Sequence, residues 1–425
     1  MLISMIVTFV LGYIMIVLEH PLKIDKAVSA IFTGVICWVI IAIHHETIQA
    51  GSEPSELVAH HLGEIAQILL FLIGAMTIVE LVDSHKGFNI LSELITSSKK
   101  STLLILVCFI AFFLSALLDN LTTTIVMVSL VRKLIPNAES RKWYAGFTII
   151  AANAGGAWSP LGDVTTTMLW IGAKVSTEEL IKFVFFPSVI CLLVPMFTAL
   201  LFTNQFKGNI NPPEDKSENV KLGSSRIMLI TGFLALISVP VFKTLTHLPP
   251  YLGMMFALAV VWLISEFVDP KVDVFTHEDK YKLTARYALS KIEIPGILFF
   301  FGVLTAVSAL DTAGILSSMA TQLDHFLGHK DYVAIVLGVL SAVIDNVPLV
   351  AASMGMFELP KDHEFWHFIA YSAGTGGSML IIGSAAGIAA MGMENIDFIW
   401  YLKKIGGLAA LGFIAGCIWF LVVGG

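Results

Sequence analysis

Long apolar stretches, separated by short polar segments, run through the whole chain. A helix needs about 20 apolar residues to cross the hydrocarbon core of a bilayer. By this criterion the pattern predicts ten membrane-spanning segments, two of them interrupted by glycine and polar residues. They lie at about 2–18, 27–43, 65–83, 144–171, 180–203, 226–242, 250–267, 294–312, 366–392 and 404–422.

Two further apolar stretches, at about 103–134 and 333–357, are each broken at the centre by an Asp-Asn pair. An ionisable residue at the middle of a membrane costs on the order of 3 kcal/mol and marks a functional site by default. Each stretch is too long for one simple helix. The pattern predicts either a crossing helix with an unwound centre or a re-entrant hairpin with the Asp-Asn pair near its tip.

The same motifs occur twice, in the same order. The segment SALLDNL at 115–121 corresponds to SAVIDNV at 341–347, which begins 226 positions later, and NAGG at 153–156 aligns with GTGG at 374–377. Matched blocks of this kind indicate an internal repeat, which is common in secondary transporters.

The repeat predicts two halves joined by a polar cytoplasmic linker at 204–225. If the broken stretches are hairpins, each half makes five full crossings, and this odd number inverts the second half relative to the first. The halves and their parts are residues 1–203, with a hairpin at about 103–134 and a broken helix at about 144–171, and residues 226–425, with a hairpin at about 333–357 and a broken helix at about 366–392.

The distribution of basic residues favours the hairpin alternative. On that topology, 20 of the 25 lysines and arginines lie on one face, because only Lys174, Lys182, Lys243, Lys330 and Lys361 fall on the other. Treating the broken stretches as crossings mixes the two sets. The positive-inside rule therefore predicts an all-α polytopic membrane protein with two inverted-topology repeats, broken helices at the midplane and both termini outside.

Composition supports this fold class. The chain of 425 residues is 56% hydrophobic and only 13% charged, with a mean hydropathy of +0.85. Soluble domains carry about 25% charged residues. The values exclude a soluble globular protein, and no basic patch indicates binding to nucleic acid.

Polar side chains gather at the four breaks, and their chemistry suits a small cation. Unwound backbone at membrane depth survives only where it is buried in protein or lines a cavity, and hard oxygen ligands favour ions such as Na⁺ or Li⁺. The candidate cation and proton site consists of Ser115, Asp119, Asn120, Thr122, Thr123, Asn153, Ser159, Asp163, Ser341, Asp345, Asn346, Thr375, Ser378 and Ser384.

The two Asp-Asn pairs are the leading candidates for the Na⁺ ligands, namely Asp119 with Asn120 and Asp345 with Asn346. Asp163 adds a third acid in the first half. Burial favours the neutral form of a carboxyl group, so a proton and a metal cation would compete for it near neutral pH. Each aspartate could equally serve as the N-cap of the helix that follows it.

No lysine or arginine is expected near the breaks, which disfavours an anionic substrate.

Glu64, which the pattern places at the start of the third span, is a candidate pH sensor.

The motifs resemble those of the NhaD-type sodium/proton antiporters. The resemblance rests on the paired Ser-Ala-x-x-Asp-Asn motifs, on ANAGGAWSPLGD at 152–163 and on GGSML at 376–380. That family belongs to the ion transporter superfamily, together with the arsenite permeases and the dicarboxylate/sodium symporters. The dicarboxylate relatives have Ser-Asn-Thr at both breaks, where this chain has Asp-Asn.

The resemblance implies exchange of Na⁺ or Li⁺ for H⁺ across a bacterial inner membrane. It also implies a lipid-embedded homodimer with an elevator-like moving domain, and no cofactor beyond the transported ions. An arsenite, anion or dicarboxylate permease of the same architecture is the alternative. An intramembrane aspartyl protease is a remote one, because the PLGD sequence at 160–163 has the Gly-Asp end of that signature but lacks its first glycine.

Overall fold

The structure, a computed structural model, describes residues 1–44, 53–95, 97–210, 222–268 and 277–423. Regular structure within these ranges is helical. The principal helices are α1 (Leu2–Val17), α2 (Lys26–Ile43), α3 (Pro54–Ser84), α4 (Lys100–Ser115), α5 (Asn120–Leu134), α6 (Ala138–Ala157), α7 (Val164–Ile171), α8 (Thr177–Phe202), α9 (Ser225–Thr246), α10 (Pro250–Phe267), α11 (Ile294–Thr312), α12 (Ile315–Leu327), α13 (Lys330–Leu340), α14 (Asn346–Met356), α15 (Glu364–Gly376), α16 (Ala385–Glu394) and α17 (Gly407–Val423).

Helices of membrane-spanning length confirm the predicted class of an all-α polytopic membrane protein. In the described ranges, seven helical segments are long and apolar enough to cross a bilayer. They are α2, α3, α8, α9, α10, α11 and the segment Phe398–Val423, which contains α17 and a short π-helical turn before it. Large apolar side chains on these helices also face outward, for example Phe256 and Leu234. Such a surface suits lipid.

Two details differ from the sequence analysis. The third span starts at Pro54 rather than near residue 65, so Glu64 lies inside α3 and not at its start; proline is well tolerated in the first turn, where its missing N–H costs nothing. The segment after α11 forms the additional helix α12. Its apolar residues, such as Leu316 and Ala320, are spaced along one face instead of running continuously. The predicted linker at 204–225 lies partly outside the described residues.

Four breaks interrupt the helices, and a polar side chain caps the helix after each one. Asp119 accepts a hydrogen bond from the backbone N–H of Thr122 at 2.7 Å at the start of α5. The corresponding caps of α7, α14 and α16 are Asp163, Asp345 and Ser384. The aspartates of the sequence motifs therefore do cap helices, and their positions at the break follow from the N–H groups that an N-terminus leaves free.

Equivalent contacts hold each broken segment to its neighbour. The Ser115 hydroxyl at the end of α4 donates to the carbonyl of Ala152 in α6 at 2.6 Å. The Ser341 hydroxyl after α13 donates to the carbonyl of Ala373 in α15 at 2.8 Å. Both serines are fully buried. The two sequence motifs therefore form the same hydrogen bond at two places in the fold.

The backbones approach so closely at these contacts that only glycine fits. A Cβ added to Gly155 in α6 would lie 2.1 Å from the carbonyl oxygen of Phe112 in α4, and one added to Gly376 would lie 1.9 Å from the carbonyl oxygen of Gly338. Real Cβ atoms do not come so near to backbone oxygen. The α4–α6 and α13–α15 pairs therefore depend on these two glycines.

We predict that Gly155→Ala lowers the free energy of unfolding by about 1–3 kcal/mol, the usual cost of overpacking. The measurement is the thermal unfolding midpoint of the purified protein in detergent. The control is Gly392→Ala in α16, where an added Cβ meets no atom within 4 Å and alanine favours the helix. Equal midpoints for both variants would contradict the packing described.

Candidate functional site

Asp163 is the centre of a buried hydrogen-bond network. Its side chain is 2% exposed. One carboxylate oxygen accepts from the backbone N–H and the hydroxyl of Thr165 at 2.8 and 2.7 Å. The other accepts from the side-chain amides of Asn120 at 2.8 Å and Asn346 at 3.2 Å. The asparagines of both Asp-Asn pairs therefore meet at one carboxylate.

Asn153 extends this network to the fourth break. Its carbonyl oxygen accepts from the amide of Asn120 at 3.0 Å, and its own amide donates to the hydroxyls of Ser378 and Ser384 at 2.9 and 3.0 Å. Asn153 is fully buried. Side chains from all four broken segments are thereby connected in one continuous polar cluster.

The asparagines turn their donors toward Asp163 and keep their carbonyl oxygens available. Across the described parts of the chain, the hydrogen bonds of these two side chains are made by their amide nitrogens, and none is found at Oδ1 of Asn120 or of Asn346. Both residues, with Asp163, line a cavity of about 480 Å³. Amide and carboxylate oxygens facing one cavity are the ligand type that alkali and alkaline-earth cations prefer.

The cavity is strongly acidic at its polar surface. Its lining includes the carboxylates of Glu19, Asp119, Asp163, Glu293 and Asp345 and the ammonium group of Lys26. A low-dielectric cavity lined mainly by one sign of charge concentrates ions of the opposite sign. The site therefore attracts cations and disfavours anions.

Lys26 overturns one prediction. The sequence predicts no basic residue near the breaks, but the Lys26 ammonium lies 3.4 Å from a carboxylate oxygen of Asp345. It also lies 4.4 Å from the centre of the Phe299 ring. These residues are separated by hundreds of positions in sequence, so no local pattern reveals the contact. Sequence reasoning missed Glu19 and Glu293 for the same reason.

The other predicted residues have local roles. The Thr122 hydroxyl donates to Asp119 at 2.7 Å. The Ser159 carbonyl accepts from Thr166 at 2.7 Å, which satisfies backbone freed by the break. Thr375 bonds within its own helix, and the buried hydroxyl of Thr123 has no partner among the described residues.

Glu64 lies apart from the network and from the cavity lining. Its side chain is 64% exposed and lies 3.8 and 3.7 Å from the rings of His60 and His61. The role of Glu64 as a pH sensor stays a prediction, and the residue lies outside the cluster around Asp163.

Clusters of three or more histidine, cysteine or acidic side chains with metal-binding geometry do not occur in the described ranges. At Asp163 the cavity offers one buried carboxylate with the side-chain amides of Asn120 and Asn346 beside it.

The sequence matches known membrane transport proteins along most of its length. The family described as citrate transporter matches residues 1–360. Sodium/proton antiporter 1 of Arabidopsis thaliana is 45% identical over 99% of this chain and 72% of its own length, and Sodium/proton antiporter 2 of the same plant is 44% identical over 99% of each chain. The Na(+)/H(+) antiporter NhaD of Alkalimonas amylolytica is 31% identical over 94% of this chain and 86% of its own.

These matches confirm the family predicted from the Asp-Asn motifs, and the matched proteins are transporters rather than enzymes. The chain accordingly belongs to the citrate transporter family and to the family of the NhaD sodium/proton antiporters, and it is a multi-pass membrane transporter.

Proposed function

We propose that the protein exchanges Na⁺ or Li⁺ for H⁺ across the membrane, with Asp163 as the shared binding site. The single observation that carries the proposal is the buried carboxylate of Asp163, held by the amides of Asn120 and Asn346. In the described structure no lysine, arginine or histidine forms an ion pair with it. A transported proton or a monovalent cation would therefore supply the missing charge.

The chemistry of exchange follows from that single charge. A proton on Asp163 and a cation beside it each neutralise one negative charge, so binding of one excludes the other. The Oδ1 atoms of Asn120 and Asn346 would complete the shell of the cation. Moving an uncompensated carboxylate through hydrocarbon is costly, which opposes movement of the site when it is empty.

Asp119 and Asp345, the leading candidates from the sequence, line the approach to Asp163. We propose that they attract the cation, which then moves to the buried carboxylate of Asp163. Ser378 and Ser384 would hold Asn153 in place, and Ser115 and Ser341 would hold the broken segments together.

We further propose that the two halves are inverted repeats with re-entrant hairpins, within the boundaries predicted above. The support is the matched pair of serine-to-carbonyl bonds at Ala152 and Ala373. Elevator-type movement of the broken segments would carry the site between the two faces. A homodimer would hold the remaining helices fixed.

The basic residues favour a topology with both termini outside the cytoplasm. On that topology Glu19 and Glu293, which line the cavity, would lie toward the cytoplasmic side. The bacterial inner membrane stays a prediction from the resemblance, because the plant relatives extend the family beyond bacteria.

An anion permease is the second candidate, since the matching family is described as citrate transporter. Its difficulty is electrostatic. Citrate would enter a cavity with five carboxylates and one ammonium group, and like charges at close range repel strongly in low dielectric. A transported cation would not meet this repulsion.

The direct test uses vesicles with an acidic lumen and an internal pH dye. We predict that external NaCl and LiCl collapse the pH gradient, because cation entry drives proton exit, whereas sodium-free citrate and arsenite do not. Protein-free vesicles are the control. Uptake of labelled citrate or arsenite without any response to Na⁺ would contradict the antiporter proposal and support a permease.

The second prediction concerns Asp163→Asn. It keeps the side-chain shape but removes the charge, so sodium-driven proton movement should fall by roughly 10–100-fold, given about 1.5–3 kcal/mol for an interaction with a charged group. Asp331→Asn, at the start of α13 beside His329, makes the same chemical change away from the cavity and should retain activity. Full activity in Asp163→Asn would instead place the site at Asp119 or Asp345.

A further inference from the structure

The Lys26 side chain stands where a transported cation would meet Asp345. Its ammonium lies 3.4 Å from Oδ2 of Asp345, and both groups are about one-fifth exposed, at 23% and 19%. Lys26 is the first residue of α2, and Asp25 caps that helix by accepting from Ala27 at 2.8 Å. The helix therefore fixes the base of the lysine at the cavity wall.

The two Asp-Asn pairs differ in this respect. Asp119 is bonded to the backbone and hydroxyl of Thr122. Throughout the described segments, no lysine or arginine forms an ion pair with Asp119. A built-in cation therefore neutralises the carboxylate of the second pair alone, although the two aspartates occupy equivalent places in the repeated motif.

The Lys26–Asp345 contact has the properties of a displaceable pair. Tight charge-assisted hydrogen bonds between ammonium and carboxylate are about 2.7–2.9 Å long, so the observed separation of 3.4 Å is loose. Phe299 offers the ammonium a second partner, with its ring centre 4.4 Å away. An ammonium displaced from Asp345 would keep this cation–π contact.

We propose that Lys26 is a tethered competitor for the transported cation at Asp345. With the cavity free of Na⁺, the ammonium neutralises Asp345; an entering cation displaces it and gains the carboxylate as a ligand or relay. Lys26 thereby sets the sodium concentration at which the transporter works. This inference rests on the proposed antiport. Lys26 acts in it through Asp345 and is not itself a ligand of the transported cation.

The test is Lys26→Gln, assayed in vesicles as sodium-driven proton movement at alkaline pH, where protons compete least. Loss of the competitor should lower the apparent KM for Na⁺ roughly two- to fivefold, while the maximal rate does not rise. Lys26→Arg should keep the wild-type KM. Lys23→Gln, an exposed neighbour outside the cavity lining, removes the same charge and should leave the KM unchanged.

A double-mutant cycle distinguishes competition from general repulsion of Na⁺. If the lysine acts through Asp345, Lys26→Gln has no further effect on Na⁺ affinity in an Asp345→Asn background. Sodium-dependent thermal stabilisation of the purified proteins supplies the affinity without requiring turnover. A shift of the same size in both backgrounds would overturn the proposal.

The two proposals fail in different ways. Absence of sodium-driven proton movement in the wild-type protein contradicts the antiport itself. An active wild type, with an unchanged or higher KM in Lys26→Gln, contradicts only the role of Lys26. If Lys26→Gln does not fold, Lys26→Met, which keeps the apolar stem, tests the same loss of charge.

Discussion

The structure of the site depends on one constraint, the burial of the Asp163 carboxylate. A buried charge is tolerated only when hydrogen bonds and a counter-charge compensate its lost hydration. Asp163 receives its hydrogen bonds from α7 through Thr165 and from the two Asp-Asn segments through Asn120 and Asn346. The starts of three helices, α5, α7 and α14, therefore meet at this carboxylate, and α16 joins them through the hydrogen bond between Asn153 and Ser384.

The breaks create a second requirement, because unwound backbone has polar groups that hydrocarbon cannot satisfy. Side chains of the same segments meet it. Thr166 and Thr167 donate to the carbonyls of Ser159 and Pro160 at 2.7 Å each. The threonine run after Asp163 thus stabilises the unwound segment before it. Polar residues in this region divide into those that support the backbone and those that face the cavity.

Much of the fold could be predicted from the sequence, because membrane-spanning helices are set by local hydropathy. The breaks were also recognisable, since Asp-Asn pairs and glycine runs interrupt otherwise apolar stretches. It was harder to predict which of the aspartates is central to the candidate site. The sequence motifs favour Asp119 and Asp345 as ligands, whereas Asp163 lies at the centre of the hydrogen-bond network in the structure. In the two Asp-Asn segments the asparagine, which is the first residue of the helix, bonds to Asp163, whereas the aspartate that caps the helix does not, and no spacing in the sequence reveals this difference.

Ion pairs between residues far apart in the sequence could not be predicted, for a related reason. Lys26 and Asp345 are 319 positions apart, and Glu394 lies a comparable distance from its partners Arg132 and Arg141. Pairings of this kind are set by how the helices pack, and a single sequence carries no direct record of that packing.

Three acids near or in the core show how charge compensation separates structure from transport. The Glu394 side chain is 1% exposed and bonds to two arginines at 2.6 and 2.9 Å, so its charge is permanently balanced. Asp345 has one loosely placed lysine. Asp163 is equally buried but has hydrogen bonds without a cation among the described residues. A carboxylate with a fixed counter-charge gains little from binding a further cation. A carboxylate without a counter-charge gains a neutralising partner when a cation or proton binds. The degree of compensation therefore orders the three acids, and it agrees with the roles proposed for them: Glu394 as a structural anchor, Asp345 as a relay, and Asp163 as the group whose charge a transported cation or proton would balance.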